Sequence, residues 1–71
     1  MTQISVVVPV FNEEESLPEL THWISRVMNE HGFSYEVILI NDGSTDRSWE
    51  VIQNLSAQNV YLKGLNFARN F

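Results

Sequence analysis

The chain has 71 residues, no cysteine, 44% hydrophobic residues and a formal net charge of -5. The lack of cysteine excludes a disulfide framework and zinc held by thiolates. The acidic balance argues against nucleic acid as a partner, because affinity for a phosphate backbone needs clustered basic groups. No apolar run approaches the roughly 18 residues of a membrane span, and no secretory signal is present, so we expect a soluble, cytoplasmic chain.

The first predicted elements are a strand and a helix. Residues 4–10 are mostly apolar and β-branched, which is typical of a buried strand in a parallel sheet, and Pro9 is expected to mark its end. Ser16 and Glu19 fit a capping box, and apolar residues then recur at helical spacing until Gly32. These features predict a helix near residues 16–30 with a glycine cap at its C-terminus.

A second strand and a second helix follow. Residues 35–40 form another apolar run, and the turn sequence Asn-Asp-Gly-Ser at residues 41–44 is expected to end it. Thr45 or Asp46 then caps a helix predicted over residues 45–55.

The last predicted element is a strand over residues 60–67, for which the pattern is weaker because Gly64 is unfavourable inside a strand. The order β-α-β-α-β with short connections predicts a parallel sheet built by right-handed crossovers. The expected architecture is therefore one half of a doubly wound α/β domain.

Two loops follow the carboxyl ends of the first two strands, where ligands bind in open parallel sheets. The first loop, residues 9–15, contains three glutamates and no glycine. It therefore fits neither a dinucleotide fingerprint nor a P-loop, which argues against NAD and ATP sites of those types. Carboxylates suit the N–H and O–H donors of a base or a ribose better than a bare phosphate.

Three segments, taken in order, resemble the inverting glycosyltransferases of family 2. They read ISVVVPVFNEE at residues 4–14, YEVILINDGSTD at residues 35–46 and LNFARNF at residues 65–71. The branch they are most similar to contains dolichyl-phosphate mannosyltransferase and bacterial polyprenyl-phosphate glycosyltransferases. The resemblance implies a Rossmann-like parallel sheet, with residues 1–71 as the N-terminal, nucleotide-binding part of an incomplete GT-A nucleotide-diphospho-sugar transferase domain.

The resemblance also implies a set of residues that bind the nucleotide-sugar, namely Pro9, Phe11, Glu13, Ile40, Asp42 and Arg69. In this pocket an aromatic ring at Phe11 flanks the base, and the Asp42 carboxylate accepts an N–H of the base. Arg69 either pairs with the donor phosphate or merely ends a strand. We interpret Glu14 and Glu15 as anions that stabilise the start of a helix.

The segments that would complete the enzyme are expected beyond Phe71. They include the family's metal-binding Asp-x-Asp, the acceptor site and any general base, so we expect the fragment to bind no metal and not to catalyse alone. The complete enzyme is expected to use Mg2+ or Mn2+, a nucleotide-diphosphate sugar donor and a lipid-phosphate acceptor such as a polyprenyl phosphate, in envelope polysaccharide or glycolipid synthesis. Its C-terminal segments would attach it to the inner face of the membrane. Asn41 stands where many relatives carry aspartate, although asparagine is common in the lipid-phosphate branch.

Two other functions stay open at this point. A nucleotidyltransferase shares a similar base-binding sheet but should carry a glycine-rich phosphate loop after the first strand. A non-catalytic interaction fragment would lack the Asp-x-Asp further along the chain. Because one sheet face or edge loses its partner in a fragment, we also expect self-association or poor stability.

Overall fold

The computed structural model describes residues 2–67, which form a three-stranded sheet and two helices. The elements are β1 Ile4–Val10, α1 Leu17–Glu30, β2 Tyr35–Asp42, α2 Ser48–Gln58 and β3 Leu62–Phe67. Strand β2 lies in the middle and pairs in parallel with both β1 and β3. Parallel neighbours need a crossover connection, which the helices supply. The predicted β-α-β-α-β order and the parallel sheet are confirmed.

The two faces of the sheet have different surroundings. Alternate residues of β2 are buried in one core with residues of both helices, so both helices pack on the same face. The fully buried members of this core are Leu17, Leu39, Ile52, Val10 and Val37. On the opposite face, Val7, Leu65 and Phe67 are 57%, 48% and 54% exposed, and neither helix covers them. Within residues 2–67, neither helix has the length and apolar character needed to cross a membrane.

Strand β2 continues through Asn41 and Asp42, so the expectation that these two residues end the strand was wrong. Asn41 pairs with Val10 on one side and Asn66 on the other, and only 4% of it is exposed. Its side-chain amide donates to Asn66 Oδ1 at 2.8 Å. Ladder pairing on both sides and this side-chain bond outweigh the turn preference of an Asn-Asp pair.

Pro9 lies inside β1 rather than at its end, because the strand continues to Val10. Among the described residues β1 is an edge strand that pairs with β2 alone. An edge strand tolerates the missing N–H of proline, since one side of its backbone makes no ladder bonds.

The capping box predicted at the start of α1 was wrong. Ser16 has helical dihedral angles and makes no side-chain cap bond; its hydroxyl donates to the Glu13 carboxylate at 2.7 Å. Pro18 follows at the second helical position and has no N–H to offer a capping oxygen, which removes one of the two usual donors. The predicted C-terminal cap is confirmed: Gly32 has a φ of 68°, and its N–H bonds the Asn29 carbonyl.

Helix α2 begins at Ser48, three residues later than predicted, and runs to Gln58. The shift arises because Asp46 caps the helix from outside it: its carboxylate accepts the Ser48 N–H at 2.9 Å. Residues 45–47 therefore form the capping turn rather than the first turn of the helix. The N-cap position itself is held by Arg47, which makes no side-chain cap bond, so Asp46 serves the helix start from one position earlier than a capping residue.

Close packing of α2 against β3 explains why residue 64 is a glycine. A Cβ atom at this position would lie 2.5 Å from Ile52 Cγ2 and 3.2 Å from Trp49 Cζ3. Glycine is the residue that lets α2 approach the strand this closely. The glycine that weakened the sequence-based prediction of a strand is thus what allows this strand and helix to pack.

Candidate functional site

The loops that follow β1 and β2 are bound to each other at the carboxyl edge of the sheet. Three consecutive backbone N–H groups of the first loop donate to side chains that follow β2. These bonds are Asn12 N to Ser44 Oγ at 3.0 Å, Glu13 N to Ser48 Oγ at 2.8 Å and Glu14 N to Asp46 Oδ2 at 3.3 Å. The sequence-based expectation that the two loops share one edge is therefore met by direct contact.

Asn12 joins the two loops a second time through its side chain. Its Oδ1 accepts the Thr45 N–H at 2.8 Å, the Thr45 hydroxyl at 3.3 Å and the Asp46 N–H at 3.3 Å. The residue has a φ of 51°, a left-handed conformation that asparagine tolerates better than most side chains. Sequence analysis gave Asn12 no role, although an asparagine directly after a strand is a recognisable signal for such a turn.

Ser48 and Asp46 form the less exposed side of this loop contact. Ser48 has no exposed surface, and its hydroxyl donates to Asp46 Oδ1 at 2.6 Å while accepting the Glu13 N–H. Partial burial raises the pKa of the Asp46 carboxyl, but bonds from the Ser48 hydroxyl, the Ser48 N–H and the Glu14 N–H lower it more. The pKa of Asp46 therefore lies below its ordinary value, and the carboxyl is an anion at neutral pH. Sequence analysis missed Ser48, which the Asp-x-Ser spacing signals.

Three of the predicted site residues lie on the helix-free face of the sheet, near its carboxyl edge. Pro9 is the register partner of Ile40, and Asp42 follows Ile40 at the next position of the same face. Phe11 lies just beyond the end of β1 and is 58% exposed. The structure thus brings the apolar pair Pro9 and Ile40, the carboxylate of Asp42 and the exposed ring of Phe11 to one edge of the sheet.

The other two predicted site residues are placed differently. Glu13 is bound to the starts of both helices: its N–H donates to Ser48 and its carboxylate accepts the Ser16 hydroxyl. Arg69 lies outside the described residues.

The chemistry of the first loop is unfavourable for binding a phosphate. The N–H groups of residues 12–14, which a phosphate-cradling loop would aim at its ligand, already donate to side chains of this chain. One of those acceptors is the anionic carboxylate of Asp46. A cleft of about 340 Å³ at this loop is lined by Asn12, Asp46 and residues 13–16, which include three glutamates. Within residues 2–67, no group of three or more His, Asp or Glu residues is arranged to hold a metal ion.

Comparison with known proteins assigns the sequence to a family. Residues 5–71 match the family described as Glycosyl transferase family 2. The chain is also 41% identical over 69 residues to YkcC of Bacillus subtilis (strain 168), described as an uncharacterized glycosyltransferase. That similarity covers 97% of this chain and 21% of the relative, so the chain spans about a fifth of the relative's length. The chain belongs to the family 2 glycosyltransferases.

Proposed function

We propose that this chain is the nucleotide-binding part of an inverting glycosyltransferase that takes a sugar from a nucleotide-diphosphate sugar. One observation carries the proposal: in a chain of this family, Pro9, Ile40 and Asp42 lie on one face at the carboxyl edge of a parallel sheet. Ligands of open parallel sheets bind outside that edge. The acceptor we propose is a lipid phosphate, in the synthesis of an envelope polysaccharide or glycolipid.

The base and the ribose are the parts of the donor that these residues suit. The exposed ring of Phe11 offers a surface for stacking against a base, and the Asp42 carboxylate accepts a ring N–H. Glu13 is proposed to contact the ribose, although its carboxylate is bound to Ser16 in the structure described here. Binding the ribose through that carboxylate would require the Ser16 hydroxyl to share it or to turn away.

The diphosphate is proposed to bind elsewhere in the complete protein, because the N–H groups of the first loop are engaged and the nearby carboxylates repel it. The Mg2+ or Mn2+ expected of the complete enzyme would stabilise the leaving diphosphate. Residues 2–67 do not fit a site for that ion, so its ligands would have to come from other segments. The 71-residue chain alone is accordingly proposed to be inactive.

A lipid-phosphate acceptor simplifies the chemistry that is proposed. Direct displacement at the anomeric carbon inverts its configuration, and the attacking phosphate oxygen is already an anion. It therefore needs little help from a general base. The cytoplasmic location and the attachment of the complete protein to the membrane are parts of the same proposal.

A nucleotidyltransferase is the weaker candidate, because it would need free backbone N–H groups after β1 to cradle phosphate. A non-catalytic interaction fragment is favoured by one observation, the exposed apolar face that includes Val7 and Leu65. Transfer of a radiolabelled sugar from a nucleotide-sugar by the full-length protein would decide for the enzyme. Absence of transfer, together with absence of an Asp-x-Asp after Phe71, would decide for the interaction fragment.

Asp42 provides the direct test of the binding site. We expect Asp42→Asn in the full-length protein to weaken binding of the nucleoside diphosphate, because an N–H of the base would face an amide N–H. A buried donor left unpaired costs about 1–3 kcal/mol, or roughly ten- to a hundredfold in affinity. Isothermal titration with UDP and with GDP in the presence of Mn2+ measures the dissociation constants.

Glu14→Gln is the matched control, since it makes the same carboxylate-to-amide change in the first loop and keeps the backbone N–H that bonds Asp46. We expect its nucleotide affinity to equal that of the wild type. Tight binding by Asp42→Asn together with weak binding by Glu14→Gln would show that the pocket has been assigned to the wrong residues.

A further inference from the structure

Asn12 occupies the position between the two residues of the first loop that we propose to contact the donor, Phe11 and Glu13. Its φ of 51° turns the chain at this point, so its conformation sets the direction in which the two neighbouring side chains leave the backbone. Its bonds connect this loop with the segment that follows Asp42. Asn12 thus lies between the two halves of the proposed site.

Four hydrogen bonds hold Asn12 to the second loop, one from its own N–H and three to its Oδ1. Asn12 and Thr45 are both exposed, so water can replace the bonds between them when they break. Exposed bonds of this kind contribute little net stability. Four of them between two loops nevertheless restrict the position of one loop relative to the other.

Ser48 differs from Asn12 in its exposure to solvent. It also joins the two loops, through Glu13 and Asp46, but it has no exposed surface. Its two hydroxyl bonds are partly buried, so losing them costs more than losing a fully exposed bond. The structure therefore separates a partly buried contact at Ser48, which stabilises the fold, from the exposed contact at Asn12, whose main effect is on loop geometry.

We propose that Asn12 is a positioning residue for the nucleotide-sugar donor, an inference that rests on the proposed function. By holding the first loop to residues 44–46, it sets the place of Phe11 and Glu13 relative to Asp42 before the donor arrives. A site assembled in advance binds more tightly, because the ligand does not have to order the loops. A misplacement of about 1 Å in such a site can cost about a hundredfold in activity.

Three substitutions in the full-length protein separate the side-chain bonds from the backbone conformation. Asn12→Gly keeps a left-handed φ but removes the Oδ1 acceptor, Asn12→Asp keeps both, and Asn12→Ala keeps neither. The measurements are the dissociation constants of UDP and GDP with Mn2+, the kcat and donor KM, and the melting temperature, all at about 0.15 M salt to screen the charge added by aspartate.

We expect Asn12→Gly to raise the dissociation constant and the donor KM about tenfold with little change in kcat, as expected when ground-state and transition-state binding weaken equally. Asn12→Asp should recover affinity to within about threefold of the wild type, and Asn12→Ala should bind no better than Asn12→Gly. The melting temperature of Asn12→Gly should stay close to that of the wild type, whereas Ser48→Ala should lower it.

Two results would overturn this inference while leaving the proposed function intact. The first is an Asn12→Gly variant that binds UDP or GDP as tightly as the wild type. The second is an Asn12→Gly variant whose melting temperature falls as far as that of Ser48→Ala and whose nucleotide affinity returns to the wild-type value on cooling. The second result would mean that Asn12 serves the stability of the fold. If the wild-type protein binds neither UDP nor GDP and transfers no sugar, the proposed function itself fails, and this inference fails with it.

Discussion

At the scale of single residues, Asp46 connects the two loops and the start of α2 through its charge. Its carboxylate accepts bonds from Ser48 and Glu14, and these bonds hold its pKa below the ordinary value. A carboxyl whose pKa is lowered in the folded state stabilises the fold above the unfolded pKa of about 3.9. That contribution is lost as the pH falls through the lower, folded-state pKa. We therefore expect Asp46 to stabilise the chain at neutral pH but not in strong acid.

The measurement is the difference in melting temperature between the wild type and Asp46→Asn across a pH series from about 7 to about 2.5. We expect the wild type to melt higher at neutral pH and the difference to shrink below about pH 4, where the protonated carboxyl resembles the amide. The two proteins share every other ionisable residue, so the remaining pH effects cancel in the difference. A difference that stays constant across the series would contradict the assigned role of the charge.

At the scale of elements, the contact between α2 and β3 depends on Gly64. We expect Gly64→Ala to destabilise the chain, because its new Cβ would overlap Ile52 Cγ2 and crowd Trp49. Overpacking of a core typically costs about 1–3 kcal/mol, which exceeds the gain of about 0.5–1 kcal/mol from replacing glycine inside a strand. Urea denaturation at equilibrium measures the free energy of unfolding.

A double-mutant cycle with Ile52→Ala tests the physical cause. Ile52 is fully buried, so its truncation alone should cost about 2–5 kcal/mol. If the clash is the cause, the added methyl group fills part of the space that Ile52 leaves, and the double variant is more stable than the sum of the two losses predicts. Strictly additive losses would show that the overlap with Ile52 is not the cause of the destabilisation.

At the scale of the whole molecule, the helix-free face of the sheet is the feature that governs behaviour in solution. Val7, Leu65 and Phe67 are exposed there, and β1 and β3 each pair on one side only within residues 2–67. Exposed apolar faces and open edges promote association. We expect the 71-residue chain to self-associate reversibly, which sedimentation equilibrium over a range of concentrations measures.

Leu65→Glu tests whether this face mediates the association. Burying a leucine is worth about 1.5–3 kcal/mol, so its replacement by a charge should weaken association at least about tenfold. Val60→Glu is the matched control, because Val60 is 84% exposed and lies outside the strands. We expect the control to associate like the wild type. A wild-type chain that stays monomeric at the highest concentration would contradict the prediction.

The sequence was informative about the elements and less so about their ends. Hydrophobic periodicity is a local property, so the strands and helices were predicted in the correct order and type. The ends depend on individual side-chain hydrogen bonds, local and distant, which hydrophobic periodicity does not report. Asn66 extends β2 through Asn41, and the Asp46 carboxylate delays the start of α2 to Ser48. Glu13 takes the Ser16 hydroxyl that a capping box would have used.

By itself, the sequence determined the α/β class, the family and the two loops in which the candidate site lies, because these follow from periodicity and from residues that are consecutive in the chain. The tertiary structure alone decided which of those residues meet. Register places Pro9 beside Ile40, and the left-handed turn of Asn12 lets its side chain reach Thr45, 33 positions along the chain. Such contacts between distant residues arise only when the sheet forms, and no local pattern specifies the hydrogen bonds between two loops.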